Sequence, residues 1–261
     1  MISPRDFLLR GLLAGLLAGF VAFGVAYVAG EPAVNAAIAI EASGTTTTAT
    51  HEHAEGTADH SHAEEKAVVP RSLQSTFGLL TATAVTGVTL GGLVGVLAAL
   101  ALGRVGSLSA RGSTLLIAGT GFVAVYLMPF VGYPPNPPAV GQPDTIGYRT
   151  TLYFTLLAIS VIAAVVAILV AVRLRARIGG WYASLAAGAG YLLAVGVAIA
   201  LLPTYDEVPA GFPAELLYGF RGASLLTQLS LWAVLGLVLA ELVHRRVRRS
   251  VPARPVEPSR V

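Results

Sequence analysis

Long apolar runs alternate with short polar connections along almost the whole chain. A helix that crosses a bilayer needs about 20 mostly apolar residues, and six stretches meet this requirement. The pattern predicts an all-α polytopic membrane bundle of six transmembrane helices, at about residues 7–29, 73–102, 113–131, 151–172, 181–202 and 223–243. The first stretch could be taken for a signal peptide, but it is too long, and Gly30-Glu31-Pro32 offers no cleavage site. We therefore predict a retained first helix.

The composition agrees with a protein built into a membrane. Of the 261 residues, 55% are hydrophobic and only 12% are charged, whereas a soluble domain carries about 25% charged residues. The absence of cysteine excludes disulfides and thiolate metal sites. The lipid bilayer is the first expected partner, and the high isoelectric point does not indicate nucleic-acid binding, because it follows from where the arginines lie.

The charged residues orient the helices. If the amino terminus lies inside, the inner Lys and Arg number 13 of 17: Arg5, Arg10, Arg104, Arg111, Arg173, Arg175, Arg177, Arg245, Arg246, Arg248, Arg249, Arg254 and Arg260. Cytoplasmic connections are enriched in Lys and Arg, so both termini are predicted to be cytoplasmic. Residues 1–248 form the predicted transmembrane domain in the cell (plasma or inner) membrane, and residues 249–261 form a basic tail on its anionic inner leaflet.

The longest predicted outer connection carries four of the five histidines. Residues 43–66 are low in complexity and poor in apolar residues, so we predict a disordered outer loop. Imidazole and carboxylate groups suit divalent Co, Ni, Cu or Zn, and the candidate metal ligands are His51, His53, His60 and His62. The alternative is a solvated acidic spacer.

A proline-rich stretch separates the third and fourth apolar runs. Residues 128–149 hold six of the fifteen prolines, and proline lacks an N–H and fixes φ. The stretch is therefore predicted to be non-helical, as either a rigid connector or a loop that lines a site. Pro129 and Pro203 are predicted to end or break their helices at the outer side.

Three arginines lie in predicted outer connections, although most positive charges are predicted to be cytoplasmic, and their positions follow a regular pattern. Arg71, Arg149 and Arg221 each come just before the second, fourth or sixth apolar run. The connection that ends at Arg221 also resembles the one that ends at Arg149, which suggests a weak threefold hairpin repeat. One interpretation is snorkelling of the side chains to lipid headgroups. The other is pairing with outer carboxylates to brace a mouth, the candidates being Glu31, Asp144 and Asp206.

Glycines repeat every four residues in the first two apolar runs. Such faces allow close helix contact in lipid, so we predict packing surfaces, within the bundle or towards a partner helix. The glycines are Gly11, Gly15 and Gly19 in the first run and Gly87, Gly91 and Gly95 in the second.

The apolar runs contain no ionisable residue at mid-depth, which argues against a usual proton-coupled pump. Candidates for lining a path are Met128, Gln74 and Gln228, with freed backbone carbonyls. The sequence has no Walker A motif, no Gly-x-Ser-x-Gly elbow and no His-Glu-x-x-His helix. An enzyme is therefore not expected.

Several segments along the chain form a distinctive set: residues 133–141 (Tyr-Pro-Pro-Asn-Pro-Pro-Ala-Val-Gly), 144–150 and 208–214, with Phe220-Arg221. These segments resemble CbtA, a family of cobalt transporter subunits. The motif residues Pro134, Asn136, Pro137 and Pro138 join the outer arginines and carboxylates as the candidate outer mouth. The resemblance implies a multi-pass subunit for uptake of cobalt for cobalamin synthesis, working with a small single-span partner that bears a histidine motif. The tract from His51 to His62 is not part of that shared pattern.

Three functions stay open at this stage. The first is a cobalt-uptake subunit with no tightly bound cofactor, for which Co²⁺ is the expected ion and Ni²⁺ and Zn²⁺ are alternatives. The second is a corrinoid- or vitamin-binding membrane component of a separately energised transporter. The third is a non-transporting scaffold that recruits a partner through its glycine faces, in a homo- or hetero-oligomer.

Overall fold

The chain folds into a bundle of long helices. The computed structural model describes residues 3–48, 69–104, 108–138 and 140–249; within them there is no strand, and six helices are long and apolar enough to cross a membrane. The predicted all-α six-helix bundle is confirmed. We number the continuous helices α1 (residues 4–48), α2 (Arg71–Ala101), α3 (Ala110–Gly132), α4 (Ile146–Ile178), α5 (Gly180–Leu201) and α6 (Ala214–Arg249).

Helix α1 is longer than predicted because it passes through Gly30-Glu31-Pro32. Its segments are Pro4–Val25, the π-helical turn Ala26–Gly30, and Glu31–Thr48. In the wide turn the Glu31 N–H donates to the Ala26 carbonyl, five residues back. Pro32 then falls in the first turn of the next segment, where a missing N–H is tolerated. The prediction that the first helix ends at residue 29 was wrong. The prediction of a disordered loop at residues 43–66 was also wrong for residues 43–48, which are helical.

Helix α3 passes a proline in the same way. The π-helical turn Phe122–Leu127 precedes the segment Met128–Gly132, and the Met128 N–H donates to the Val123 carbonyl. The prediction that residues 128–149 are wholly non-helical, with a helix end or break at Pro129, was therefore wrong at both ends of the stretch. Among the described residues of the stretch, 133–138 and 140–142 are non-helical, and a 3₁₀ turn at Pro143–Thr145 leads into α4. Pro203 does lie just beyond the end of α5, as predicted.

Helices α4 and α6 are also longer than their apolar cores. Helix α4 reaches Ile178 instead of residue 172, and α6 begins at Ala214 instead of residue 223. The extra turns include charged residues and lie at the helix ends, where water and headgroups accept charged side chains. Arg249 is the last described residue of α6, so the remainder of the predicted tail lies outside the described residues.

The glycine faces of α1 and α2 pack against each other. A Cβ atom added to Gly15 would overlap the Gly87 carbonyl oxygen, and one on Gly19 would lie 2.6 Å from the Thr83 oxygen. The backbones thus touch directly, which permits Cα–H···O contacts and close van der Waals packing. The facing pairs, in antiparallel register, are Phe7 with Gly95, Gly11 with Gly91, Gly15 with Gly87, and Gly19 with Thr83.

The main core lies among α1, α2, α3 and α6. Helix α6 contributes the large side chains Leu231, Trp232, Leu235 and Leu239, and α1 opposes them with alanines that have no exposed surface. A Cβ on Gly121 of α3 would lie 2.5 Å from the Trp232 ring, so this glycine makes room for the indole.

Helices α4 and α5 form a separate hairpin at one side of this core. They pack mainly on each other, and α4 meets α3 chiefly along residues 122–132. A small cluster of Tyr133, Leu152, Leu156 and Val195 lies at that contact. The hairpin is therefore attached to the bundle near the outer end of the helices.

The ion pairs lie at the two ends of the bundle. At the end assigned to the cytoplasm, Asp6 lies 3.2 Å from Arg246, and Glu241 lies 2.5 Å from Arg111. Arg71 and Arg149 form pairs at the opposite end, which we call the outer end.

Candidate functional site

Two proline-containing loops pack together at the outer end. We call them the paired outer loops: residues 133–142, between α3 and α4, and residues 202–213, between α5 and α6. The Tyr133 hydroxyl donates to the Pro203 carbonyl at 2.9 Å. The rings of Tyr133 and Tyr205 stack with centroids 5.4 Å apart and planes within 2°. The likeness of these two loops in sequence thus corresponds to direct contact between them.

A charged pair joins the second loop to the start of α4. Arg149 Nε lies 3.1 Å from Glu207 Oε2, and the Glu207 side chain is only 8% exposed. The same carboxylate accepts the Gln142 N–H at 3.1 Å, while Arg149 Nη2 donates to the Gln142 carbonyl at 3.2 Å. We call Gln142, Arg149 and Glu207 the latch, because it holds both outer loops to α4.

The Thr145 hydroxyl, together with the latch, lowers the pKa of Glu207 below its ordinary value. The Thr145 hydroxyl contributes most; partial burial opposes it, and the Gln142 N–H and the Arg149 charge add to the lowering. The Thr145 hydroxyl also lies 2.9 Å from the Gln142 carbonyl oxygen. Because the hydroxyl rotates, it can donate its one proton either to this carbonyl or to the Glu207 carboxylate. The carboxylate is thus stabilised in its charged form.

Gly141 fits the latch because it has no side chain. Its φ is +114°, and a Cβ atom there would lie 2.5 Å from Arg149 Nη1. Both the backbone angle and the space next to the guanidinium require glycine.

Arg221 joins α6 to the first outer loop. Its Nη2 donates to Asn136 Oδ1 at 2.8 Å, and its Nε donates to the Pro135 carbonyl at 3.2 Å. Pro137 is buried, and Pro134 and Pro138 are half-buried. The proline motif is thus an ordered wall held by a guanidinium.

Arg71 joins the first two helices. It forms an ion pair with Glu31, and its Nε donates to Asn35 Oδ1 at 3.2 Å. Continued outward, the antiparallel glycine register of α1 and α2 places Arg71 opposite Glu31. Close backbone packing therefore also sets this ion pair.

The structure corrects two of the expected arginine partners. Arg149 pairs with Glu207 and not with Asp144, which is exposed in the 3₁₀ turn before α4. Arg221 bonds to an amide and a carbonyl and not to Asp206, whose Oδ1 accepts the Val208 N–H at 3.2 Å. Aspartate two residues before an N–H favours such a local turn, which occupies the Asp206 carboxylate.

A cavity of about 470 Å³ opens beneath the paired outer loops. Its walls come from α3, α4, the start of α6 and both loops. Six aromatic rings line it, together with Asn136, Arg149, Thr150 and Ser224. The aromatic residues are Tyr126, Phe130, Tyr133, Tyr153, Phe154 and Tyr205. The Tyr126 and Ser224 hydroxyls are 2.9 Å apart, so they satisfy each other within the wall.

The three candidate path residues lie apart from this cavity. Met128 packs with the small cluster around Tyr133. The Gln74 side chain is exposed and donates to the Val69 carbonyl at 2.9 Å, and Gln228 is half-buried in α6. None of the three lines the cavity.

The histidine candidates lie outside the described residues. They are His51, His53, His60 and His62. In the part of the chain that is described, no three His, Asp or Glu side chains cluster as a metal site would require. The oxygen donors at the cavity are amide and hydroxyl groups, which would hold a cation weakly.

Sequence reasoning missed three parts of this site. The stacking of Tyr133 on Tyr205 was not predicted, because it depends on how the two loops meet in space. Glu207 was passed over for its neighbour Asp206, although the two carboxylates are adjacent and either could reach an arginine. The aromatic residues that line the cavity could not be predicted as site residues, because aromatic residues in an apolar run are usually packing residues.

Comparison with known proteins gives a family match. The family model described as "Probable cobalt transporter subunit (CbtA)" matches residues 4–244, nearly the whole chain. No curated protein and no solved structure shows a significant match.

Proposed function

The chain belongs to the CbtA family of probable cobalt transporter subunits, and from this premise we propose that it admits Co²⁺ at the outer face of the cell membrane for cobalamin synthesis. The family match makes the chain a multi-pass membrane subunit of a transporter and not an enzyme. The observation that carries the proposal is the cavity at the outer end, whose wall includes Pro134, Pro135 and Asn136 of the proline motif by which the chain resembles its family.

The described wall suits passage better than tight binding. Its uncharged oxygen donors are the Asn136 amide, the hydroxyls of Thr150 and Ser224, and the hydroxyls of the four tyrosines. The guanidinium of Arg149, also in the wall, lies against Glu207, which offsets its repulsion of a cation. A hydrated ion can therefore enter without being retained by a full set of ligands.

Capture of the ion is assigned in this proposal to the histidine tract. Imidazoles at His51, His53, His60 and His62 would raise the local Co²⁺ concentration near the outer end, with Ni²⁺ and Zn²⁺ as competitors because donor type alone discriminates poorly. Protonation near pH 6 would weaken this capture. The proposed partner is a small single-span subunit with its own histidines, in a hetero-oligomer.

The first test is uptake of radioactive cobalt at sub-micromolar concentration by cells that lack this chain. We expect uptake to fall in the deleted cells and to return with the wild-type chain. Unchanged uptake in the deleted cells would refute the proposal.

A matched pair of variants tests the cavity itself. Thr150 and Thr151 are adjacent exposed residues of α4, and only Thr150 lines the cavity. Thr150→Phe is expected to reduce uptake several-fold, whereas Thr151→Phe should leave it close to wild type. Equal uptake by the two variants, at equal protein levels, would exclude the cavity from the path.

The corrinoid-binding alternative is supported by one observation, the six aromatic rings around the cavity. Aromatic walls and a volume of a few hundred Å³ are typical of sites for organic ligands. Binding of radiolabelled cobinamide to the purified protein, blocked by Thr150→Phe and not by Thr151→Phe, would favour this function over passage of the free ion.

A further inference from the structure

A second, larger cavity lies between the α4–α5 hairpin and α3 at the cytoplasmic end. Its volume is about 1010 Å³, and we call it the inner groove. The cytoplasmic half of α3 packs against α6, with Ala118 near Gly236. Helix α4 contacts α3 chiefly along residues 122–132, near the outer end. The two helices therefore leave a gap that faces the bilayer.

The walls of the inner groove are mostly apolar, with leucines on α3 and small residues on α4 and α5. Helix α4 contributes Ala164, Ala167 and Ala171, and α5 contributes Ala187 and Gly188. A surface of this kind in a membrane is filled by hydrocarbon or by another helix.

The mouth of the groove is basic. Arg175 lines the groove at the cytoplasmic end of α4, and Arg173 and Arg177 lie close by in sequence on the same helix end. Among the described residues none of these three arginines forms an ion pair. Trp181, 73% exposed, lies at the same level, where indole rings favour the headgroup region.

We propose that the inner groove binds an anionic phospholipid of the cytoplasmic leaflet, with its acyl chains between α3, α4 and α5 and its phosphate at Arg175. Basic pockets between membrane helices on the cytoplasmic side suit such headgroups. The site is separate from the cavity at the outer end and does not depend on which ion is transported.

The length of the groove matches one leaflet. Along α4 it runs from Ala164 to Arg175, which at 1.5 Å per residue is roughly 16 Å. Half of the hydrocarbon core of a bilayer is about 15 Å. The acyl chains therefore end where the groove ends, and the headgroup reaches the arginine.

The volume of the groove is too small for a spanning partner helix. A helix about 10–12 Å wide takes roughly 400–600 Å³ per turn, so the groove holds about two turns. A spanning helix needs about 20 residues. A lipid of one leaflet therefore matches the groove better than the single-span partner does.

The test measures lipid retained by the purified full-length chain in native mass spectrometry. The probes are mixed micelles with equal phosphatidylglycerol and phosphatidylcholine. Phosphatidylglycerol should be retained preferentially, and Arg175→Gln should reduce this preference about fivefold, the factor that corresponds to about 1 kcal/mol per basic residue at the membrane surface. Arg104→Gln, an exposed arginine at the cytoplasmic end of α2 and outside the groove, is the control and should retain the wild-type preference.

A second pair of variants tests the groove without changing charge. A Cβ atom on Gly188 or Gly190 meets nothing within 4 Å, and only Gly188 lines the groove. Gly188→Leu should expel the retained lipid, whereas Gly190→Leu should keep it. Equal retention of the two lipids by the wild type, or a preference that survives both Arg175→Gln and Gly188→Leu, would overturn the proposal.

Discussion

Two helix pairs of this protein use glycine in opposite ways. In α1 and α2 the glycines face each other, and a Cβ atom on Gly11, Gly15 or Gly91 would overlap a backbone carbonyl. In α5 an added Cβ on Gly190 or Gly196 would meet nothing within 4 Å. The same residue type therefore marks the closest contact in one pair and an open surface in the other.

The two pairs are also held to the bundle by different means. The segment Pro4–Val25 of α1 packs along its length on α2 and α6. The α4–α5 hairpin depends on the outer part of α3, on the small cluster around Leu156 and on the latch. Changes to the first pair should therefore act on the whole fold, and changes to the latch should act on the hairpin.

The largest expected effect follows from Gly15→Leu. The added side chain must separate two backbones that are in contact, and overpacking of this kind costs about 3 kcal/mol or more. We expect loss of the folded fraction in detergent, measured by unfolding in sodium dodecyl sulfate. Gly24→Leu, in the same helix with open space around its Cβ position, is the control, and equal loss in both variants would contradict direct backbone contact.

The next effect concerns Gly141→Ala in the outer loop. The strained φ costs roughly 1–3 kcal/mol, and the methyl group displaces the Arg149 guanidinium. We expect faster proteolysis at the outer loops, with the α1–α2 contact unchanged as measured by a disulfide introduced between those helices. Gly147→Ala, where a Cβ meets nothing within 4 Å, should behave as wild type; slow proteolysis of both variants would show that the latch tolerates the methyl group.

The stability that the latch contributes should also depend on pH. The pKa of Glu207 is lowered in the folded chain, so its stabilising contribution is present above the ordinary carboxyl value of 4.5 and is lost as the pH falls below it. Glu207→Gln should lower the Tm at pH 7, and its difference from the wild-type Tm should shrink as the pH falls below that ordinary value. Asp206→Gln is the neighbouring control, and a Tm difference for Glu207→Gln that is constant with pH would exclude an ionised latch.

A smaller effect is expected for the pair of Arg71 and Glu31. Their side chains are 34% and 13% exposed, and solvent screening limits such a pair to about 1 kcal/mol. A double-mutant cycle with Arg71→Gln and Glu31→Gln should give a coupling energy of this size, measured by unfolding in sodium dodecyl sulfate. If the effects of the two single variants are additive, the packing of α1 on α2 brings Arg71 and Glu31 together, but the ion pair does not stabilise that packing.

The smallest effect is expected for Gly190→Leu. Its side chain enters open space on α5, and we expect a change in unfolding free energy within about 0.5 kcal/mol, as for surface sites. A large loss of stability would show that this face of the hairpin is covered in the assembled transporter, which would weaken the contrast with Gly15.

The sequence predicted the helices well and their ends poorly. Apolar runs of sufficient length locate a span, but the end of α1 depended on a π-helical turn that accommodates Pro32, and no residue pattern signals such a turn. The charged ends of α4 and α6 extend beyond their apolar runs because helix propensity continues where hydropathy stops.

The candidate site was predicted in part. The outer arginines were identified because most other Lys and Arg residues are predicted to be cytoplasmic. Glu31 was among their expected partners. The choice of Glu207 over Asp206 could not be made, because it depends on which of two adjacent side chains bonds to its own backbone. The glycine spacing predicted a contact face, whereas the pairing of that face with α2 required the antiparallel register.

The continuation of α1 beyond Glu31 sets the distance from which a histidine tract can act. From the level of Arg71 the helix continues from Glu31 to Thr48, or roughly 26 Å at 1.5 Å per residue. A metal-collecting segment attached at that point would meet ions well outside the headgroup layer. Uptake from dilute solution should therefore depend on the stiffness and length of this extension as much as on the number of imidazoles it carries.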